Sequence, residues 1–335
     1  MKYLSNAFSQ LKKLTGIDNN IAYILMLHRV SEKSQFKLAA NENMKVSPYY
    51  LEKFIKEHLR QGYKFISLDQ MCNLLSNNPG NNKKHIVITL DDGYKDNYEK
   101  AFPIFKKYNI PFCIYISTSF PEGTSFMWWY ILENLILQEN KIILNDGTAY
   151  ICDTEEKKEK TFLALRQIIM RLDHNYFEER FLEFFSNYDL DNIISETRNL
   201  AMSWSQIKEI SSNKLSTIGS HTHTHRALKN LSLENMKSEI RFSLDLLNAN
   251  LETDIKHFSF PYGTRNEANK VQFELTKEFN FLSATTTNRG SIIKSDKYRL
   301  NQLPRIMLTE NSSIVNLDLH LFKENLKRRC TFTLS

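Results

Sequence analysis

Glycine is scarce in this chain. There are nine glycines in 335 residues, and no two lie within a dozen positions of each other. That dispersion excludes the glycine-rich loops that cradle phosphates and the GxGxxG dinucleotide fingerprint. GxSxG, the elbow of many serine hydrolases, is absent too. The four cysteines, Cys72, Cys113, Cys152 and Cys330, form no CxxC pair and imply no disulfide framework. No apolar run reaches about eighteen residues, so no membrane-spanning helix is expected. Neither sign of charge dominates. The formal charge of +6 is spread along the chain; it permits attraction to an anionic glycan or a membrane surface but does not by itself argue for nucleic acid, and no nucleic-acid partner is expected.

What is present is an alternation of strands and helices. Hydrophobic residues make up 41% of the chain, enough for a globular core. Short apolar runs predict strands at 22–27, 86–90, 112–116, 215–218, 257–260, 281–285 and 303–308. Amphipathic spacing predicts helices at 49–61, 96–108, 232–249 and 267–279. In the first of these, Leu51, Phe54, Ile55 and His58 share a face, and Ser232 is placed to cap the third. Strands alternating with helices imply a parallel sheet, and seven strands suffice to close a barrel. Chemistry in such barrels gathers at the C-terminal ends of the strands.

Three segments stand outside the alternation. Residues 121–200 show no convincing strand pair and read mainly as helix, an insertion within a main domain spanning 21–310. Within it, Trp128 and Trp129 suit a core and a sugar-stacking platform equally. Residues 1–20 carry Leu4, Phe8, Leu11 and Leu14 at helical spacing, with Lys12 and Lys13 beside them. An amphipathic helix is expected there, packed on the domain or in peripheral contact with a membrane. This segment lacks the unbroken apolar core of a secretion signal, so a cytoplasmic location is expected, either free or at the inner face of the membrane. Residues 311–335 read as a tail. Nothing in the sequence speaks to oligomeric state.

Two stretches concentrate chemistry. SHTHTH at 220–225 holds three of the nine histidines: His221, His223 and His225. One turn of helix-like backbone would aim His221 and His225 the same way and His223 elsewhere. Two neutral imidazoles suit zinc or a similar divalent ion, with a carboxylate as a common third ligand. TLDDG at 89–93 places Asp91 and Asp92 at the end of a predicted strand. Adjacent side chains point different ways, so the two should have different tasks. Like charges this close resist joint ionisation unless a cation intervenes. Two weaker signals join them. HFSFPYG at 257–263 forms a turn that can offer a backbone N–H to an oxyanion. His28, in YILMLHRV, ends the first strand and reaches the same face.

TLDDGY, SHTHTH and FPYG, in that order, resemble the polysaccharide deacetylase family, the NodB-homology domain of carbohydrate esterase family 4. The resemblance covers roughly 20–120 and 200–310. It implies a distorted (β/α)₇ barrel that removes acetyl groups from N-acetylated glycans with one divalent metal ion, zinc first, or cobalt, nickel or manganese. By this resemblance Asp91 is the general base, Asp92, His221 and His225 are the metal ligands, and the Tyr262 N–H is the oxyanion donor. Many members carry a base-orienting arginine just before the Pro-Tyr turn. Here that place holds Ser259, and Arg305 is expected to take over the role. LMLHRV is similar to the subgroup of biofilm-polysaccharide deacetylases whose acid histidine lies on the first strand, which assigns the acid to His28 over His320. O-acetyl ester or cyclic amide hydrolysis, and glycan binding without catalysis, are the competing readings.

Overall fold

The computed structural model describes residues 20–77, 85–310 and Leu317. The expected N-terminal helix, apart from Asn20, lies outside those residues. So do His320 and nearly all of the C-terminal tail. Seven strands form a closed parallel ring: β1 (Asn20–Leu27), β2 (His85–Leu90), β3 (Phe112–Ile116), β4 (Ser216–Ser220), β5 (His257–Ser259), β6 (Ser283–Arg289) and β7 (Leu303–Met307). Each pairs with the next in chain order, and β7 returns to β1. This is the expected (β/α)₇ barrel. Two short strands decorate it, Lys64–Phe65 beside β2 and the antiparallel Ile292–Ile293 beside β1.

The strands read as continuous apolar runs because both of their faces are buried. Leu25, Leu27, Ile88, Leu90, Phe112 and Ile114 pack outward against the helices. Ile24, Val87, Cys113 and Tyr115 belong to a second cluster with Leu68, Met71 and Leu75 of the helix Leu68–Ser76. The helix Pro48–Arg60 starts at a Ser47 cap with Pro48 in its first turn, and buries Leu51, Phe54, Ile55 and His58 as their spacing predicts. Ser232 caps Leu233–Asn250. The predicted helix at 96–108 instead opens as a π turn, Asn97–Ala101, before the α-helix Phe102–Tyr108. Pro103 has no N–H to continue an α-helical ladder there. The predicted helix at 267–279 begins only at Lys270, because Asn269 and Gln272 form a reciprocal cap.

The segment 121–200 departs from expectation in one respect. It does contain a strand pair, Lys141–Ile143 with Ala149–Ile151, antiparallel. Its turn is carried by Asp146, which accepts from the Thr148 N–H at 2.8 Å, and by Gly147 at φ +83°. Asp-Gly was the available signal, but three-residue strands show too little alternation to be read. Helices Trp128–Gln138, Glu155–Ile169, Phe177–Phe184 and Asp191–Arg198 make up most of the rest. They share an apolar core of their own, with Trp128, Ile131, Phe162, Leu165, Phe177 and Phe181 at its centre.

Candidate metal centre and active site

Register sets the site. Leu27 pairs with Leu90, so His28 and Asp91 leave neighbouring strands at one level, and the Asp91 N–H donates to the Leu27 carbonyl at 2.9 Å. The chain then reverses, with Asp92 at φ +77° and Gly93 at φ +97°. A Cβ on Gly93 would stand 3.1 Å from Ile116 Cδ1, so glycine suits both the backbone and the space. Across this reversal Asp91 faces the barrel interior and Asp92 faces the end of β4.

His221 follows β4 directly, its N–H donating to the Ile116 carbonyl at 2.9 Å. The expected helical turn is not what brings His221 and His225 together. The segment is a loop in which Thr222 (φ +65°) and His225 (φ +58°) are left-handed. Glu239 holds it from the neighbouring helix by accepting from the N–H groups of His223 and Thr224 at 3.0 and 2.8 Å. His223 turns away as expected. Its Nδ1 meets Thr118 Oγ1 at 2.9 Å, and its ring packs edge-on to Phe242.

Asp92 Oδ1 lies 3.3 Å from His221 Nε2 and 3.2 Å from His225 Nε2. His221 donates its Nδ1 proton to the Ser259 carbonyl at 2.7 Å, which leaves a bare lone pair on Nε2. Burial favours the neutral form of His225, although Asp92 opposes that shift. Acceptor atoms of all three residues thus converge within 4.8 Å in a buried place. Lone pairs so arranged repel unless a cation sits among them. The nitrogen, nitrogen, oxygen set fits zinc or a similar divalent ion.

Asp91 is held differently. Arg305 Nη1 and Nη2 donate to its two carboxylate oxygens, both at 2.7 Å. The remaining donors reach Thr89 Oγ1 (3.1 Å), Ser259 Oγ (2.9 Å) and the Thr286 carbonyl (3.0 Å). All five N–H groups of this fully buried guanidinium therefore have acceptors. Burial would raise the Asp91 carboxyl, but Arg305, followed by His221, keeps it below the ordinary value. Ser259 is a small hydroxyl in the space where Arg305, two strands away around the ring, delivers the charge.

Tyr262 is left-handed at φ +60°, and among the described residues no acceptor takes its N–H. Its ring lies 4.8 Å from that of His225. Its hydroxyl accepts from Trp128 Nε1 at 2.8 Å, and burial pushes that hydroxyl up to about 12. His28 opens on the same cleft, with Nδ1 buried and unpartnered. His257 lies at the far end of β5 against Ser283, away from the chemistry. The two tryptophans divide their roles. Trp128 is core, whereas half-buried Trp129 donates to Tyr94 Oη and stands 5.2 Å from His225. Together these groups line a cleft of about 1050 Å³, roofed by the 121–200 segment.

Three supporting residues escaped the sequence reading. Asp96 accepts from the Val30 N–H and binds Arg29, and Asn97 donates to the His28 carbonyl at 2.9 Å. They clamp the backbone that presents His28. Their signal was position in the first turn after Asp91 and Asp92. Glu239 carried no signal, since it is one acid among many on a long helix.

A parallel barrel with acids and imidazoles gathered at its strand ends defines a class of hydrolase-like sites. A sequence profile of the polysaccharide deacetylase family matches residues 78–147 and 170–278, and the chain belongs to that family. It is 29% identical over 93 residues to YxkH of Bacillus subtilis (strain 168), whose name places it with the polysaccharide deacetylases. That match covers 28% of this chain and 30% of the relative, so the chain spans under a third of that curated relative. Among solved structures, the fold is similar to the Streptococcus pyogenes deacetylase PplD in complex with acetate, with a TM-score of 0.60 and 20% identity over 91% of this chain and 98% of the other. It is also similar to IcaB from Ammonifex degensii, with a TM-score of 0.57 and 16% identity over 88% and 94% of the two chains.

Proposed function

We propose that this protein is a metal-dependent hydrolase that removes N-acetyl groups from an N-acetylated sugar, in a bacterial surface polysaccharide or its lipid-linked precursor. The division between the two adjacent carboxylates carries this reading. Asp91 is bound by a guanidinium and kept ionised, while Asp92 faces two imidazoles. A glycan-binding domain has no use for that division. Asp92, His221 and His225 would hold the ion, zinc first. When bound, it supplies Lewis acidity that lowers the pKa of water to about 7.

The remaining work falls to side chains and backbone. Asp91 takes a proton from the water that attacks the acetamide carbonyl. The Tyr262 N–H receives the developing oxyanion. His28 delivers a proton to the departing amine, which is a poor leaving group without one. Names of the structural relatives, a deacetylase in complex with acetate among them, agree with this chemistry.

The test is acetate release from a panel of N-acetylated glycans, with and without chelator. Release that a chelator abolishes is expected. Release only from O-acetyl esters or a cyclic amide would replace the reading with a different hydrolase. In the same assay His28→Ala should keep fold and metal and lower amide turnover by about 10²–10⁴, the range for loss of a general acid. An O-acetyl ester should suffer less, because an alkoxide leaves more readily than an amide anion. Near-normal amide turnover would remove His28 from the mechanism.

The tryptophans give a second comparison. Trp129→Ala should raise KM for a long glycan more than for a monosaccharide and cost less stability than Trp128→Ala. Trp128→Ala should cost about 3–5 kcal/mol in denaturant unfolding, as for large aromatic truncations in a core. Equal effects of the two on KM would mean that Trp129 is not a stacking surface.

A further inference from the structure

The cleft carries charges that the proposed chemistry leaves unused. Five charged groups on its walls already have partners. Arg29 binds Asp96 and Tyr130 Oη, Asp91 binds Arg305, and Asp92 faces the two histidines. Two further acids, Asp173 and Glu267, accept from Asn175 and Thr264 within their own turns. Arg166 and Arg171 differ. Both line the cleft and both are exposed, and among the described residues neither guanidinium has a hydrogen-bond or ion-pair partner. They sit where the helix Glu155–Ile169 ends and the chain turns, with the Arg166 carbonyl accepting from the Met170 N–H and the Arg171 N–H donating to the Ile168 carbonyl.

From this we infer that Arg166 and Arg171 form an anion subsite, so that the cleft takes a negatively charged glycan with its acetamido sugar at the strand ends and a phosphate or carboxylate at the insertion wall. A planar guanidinium binds either group through two parallel hydrogen bonds. The competing role is local, since cations near a helix C-terminus also offset its dipole. That role would affect stability alone.

This inference rests on the deacetylase reading for its kinetic arm only. In that arm the metal-loaded full chain is given an N-acetylglucosamine disaccharide, the same disaccharide bearing a 6-phosphate, and a glucuronate–N-acetylglucosamine disaccharide. Wild type should prefer one charged substrate by roughly tenfold in kcat/KM, an advantage that falls with salt and disappears in the Arg166→Gln/Arg171→Gln double variant. Neutral-substrate turnover should be unchanged, and Arg180→Gln, which removes an exposed arginine paired with Glu183 outside the cleft, should keep the preference. The charged substrate that wins tells phosphate from carboxylate. The second arm measures binding of the same three sugars to chelated full chain by calorimetry, so that no ion can hold the anion. Binding of a charged sugar that the double variant loses supports the subsite even if no acetate is ever released. Equal handling of charged and neutral sugars by wild type, or a preference that survives in the double variant, overturns it.

Discussion

Arg305→Met is expected to cost about 3–5 kcal/mol of stability and to lower turnover by about 10²–10⁴. The stability loss follows from burial. Arg305 is 1% exposed and Asp91 is 2% exposed, so removing the guanidinium leaves a largely buried carboxylate without its compensating charge. The turnover loss follows from protonation. With Arg305 present, Asp91 is held below its ordinary value against the opposing effect of burial. Without it, burial acts unopposed by that charge and the carboxyl moves upward. The acid limb of the pH–rate profile should therefore shift to higher pH, because the base must be ionised to accept a proton. The double variant Asp91→Asn/Arg305→Met should recover much of the stability and none of the activity, since a neutral pair needs no compensating charge. Urea midpoints and pH–rate profiles on wild type and these two variants measure both effects. A stable, active Arg305→Met protein would show that the ion pair neither orients nor ionises the base.

The second large effect concerns the ion. His225→Ala should remove most bound metal and nearly all metal-dependent activity. Loss of an outer partner alone typically weakens metal affinity by about 10–100-fold, and loss of a ligand should exceed that. His223→Ala, two residues away in sequence, should keep metal and activity and cost about 1 kcal/mol for its hydrogen bond to Thr118. Metal content after dialysis and acetate release decide it. Equal metal loss from both variants would mean that the loop is held by His223 rather than folded around His225.

These two results bear on how much of the site was legible in advance. Asp92, His221 and His225 were readable as one set because imidazoles and carboxylates are rarely clustered without a purpose. The spacing argument for the pair was nevertheless wrong in detail. Thr222 and His225 reach their geometry by left-handed backbone, and the clamp that holds the loop is Glu239, on a helix with no motif. The hairpin in the insertion was missed because its strands are three residues long and only Ile142 is buried.

The sequence by itself determined the seven strands, most of the helices around them and the residue types at the strand ends. Those properties are local, since apolar runs, helical spacing and caps such as Ser47 and Ser232 are written in neighbouring residues. Tertiary structure alone decided which strand ends meet. The ring closes β7 onto β1, and only that closure and the register of Leu27 with Leu90 bring Arg305, Asp91 and His28 into one place. It also decided between the two tryptophans, adjacent and alike in sequence, by burying Trp128 in the insertion core and leaving Trp129 half-buried beside His225. The physical reason is the same in both cases. A side chain's task depends on the groups across the space it enters, and those groups lie up to hundreds of residues away along the chain, as Arg305 does from Asp91.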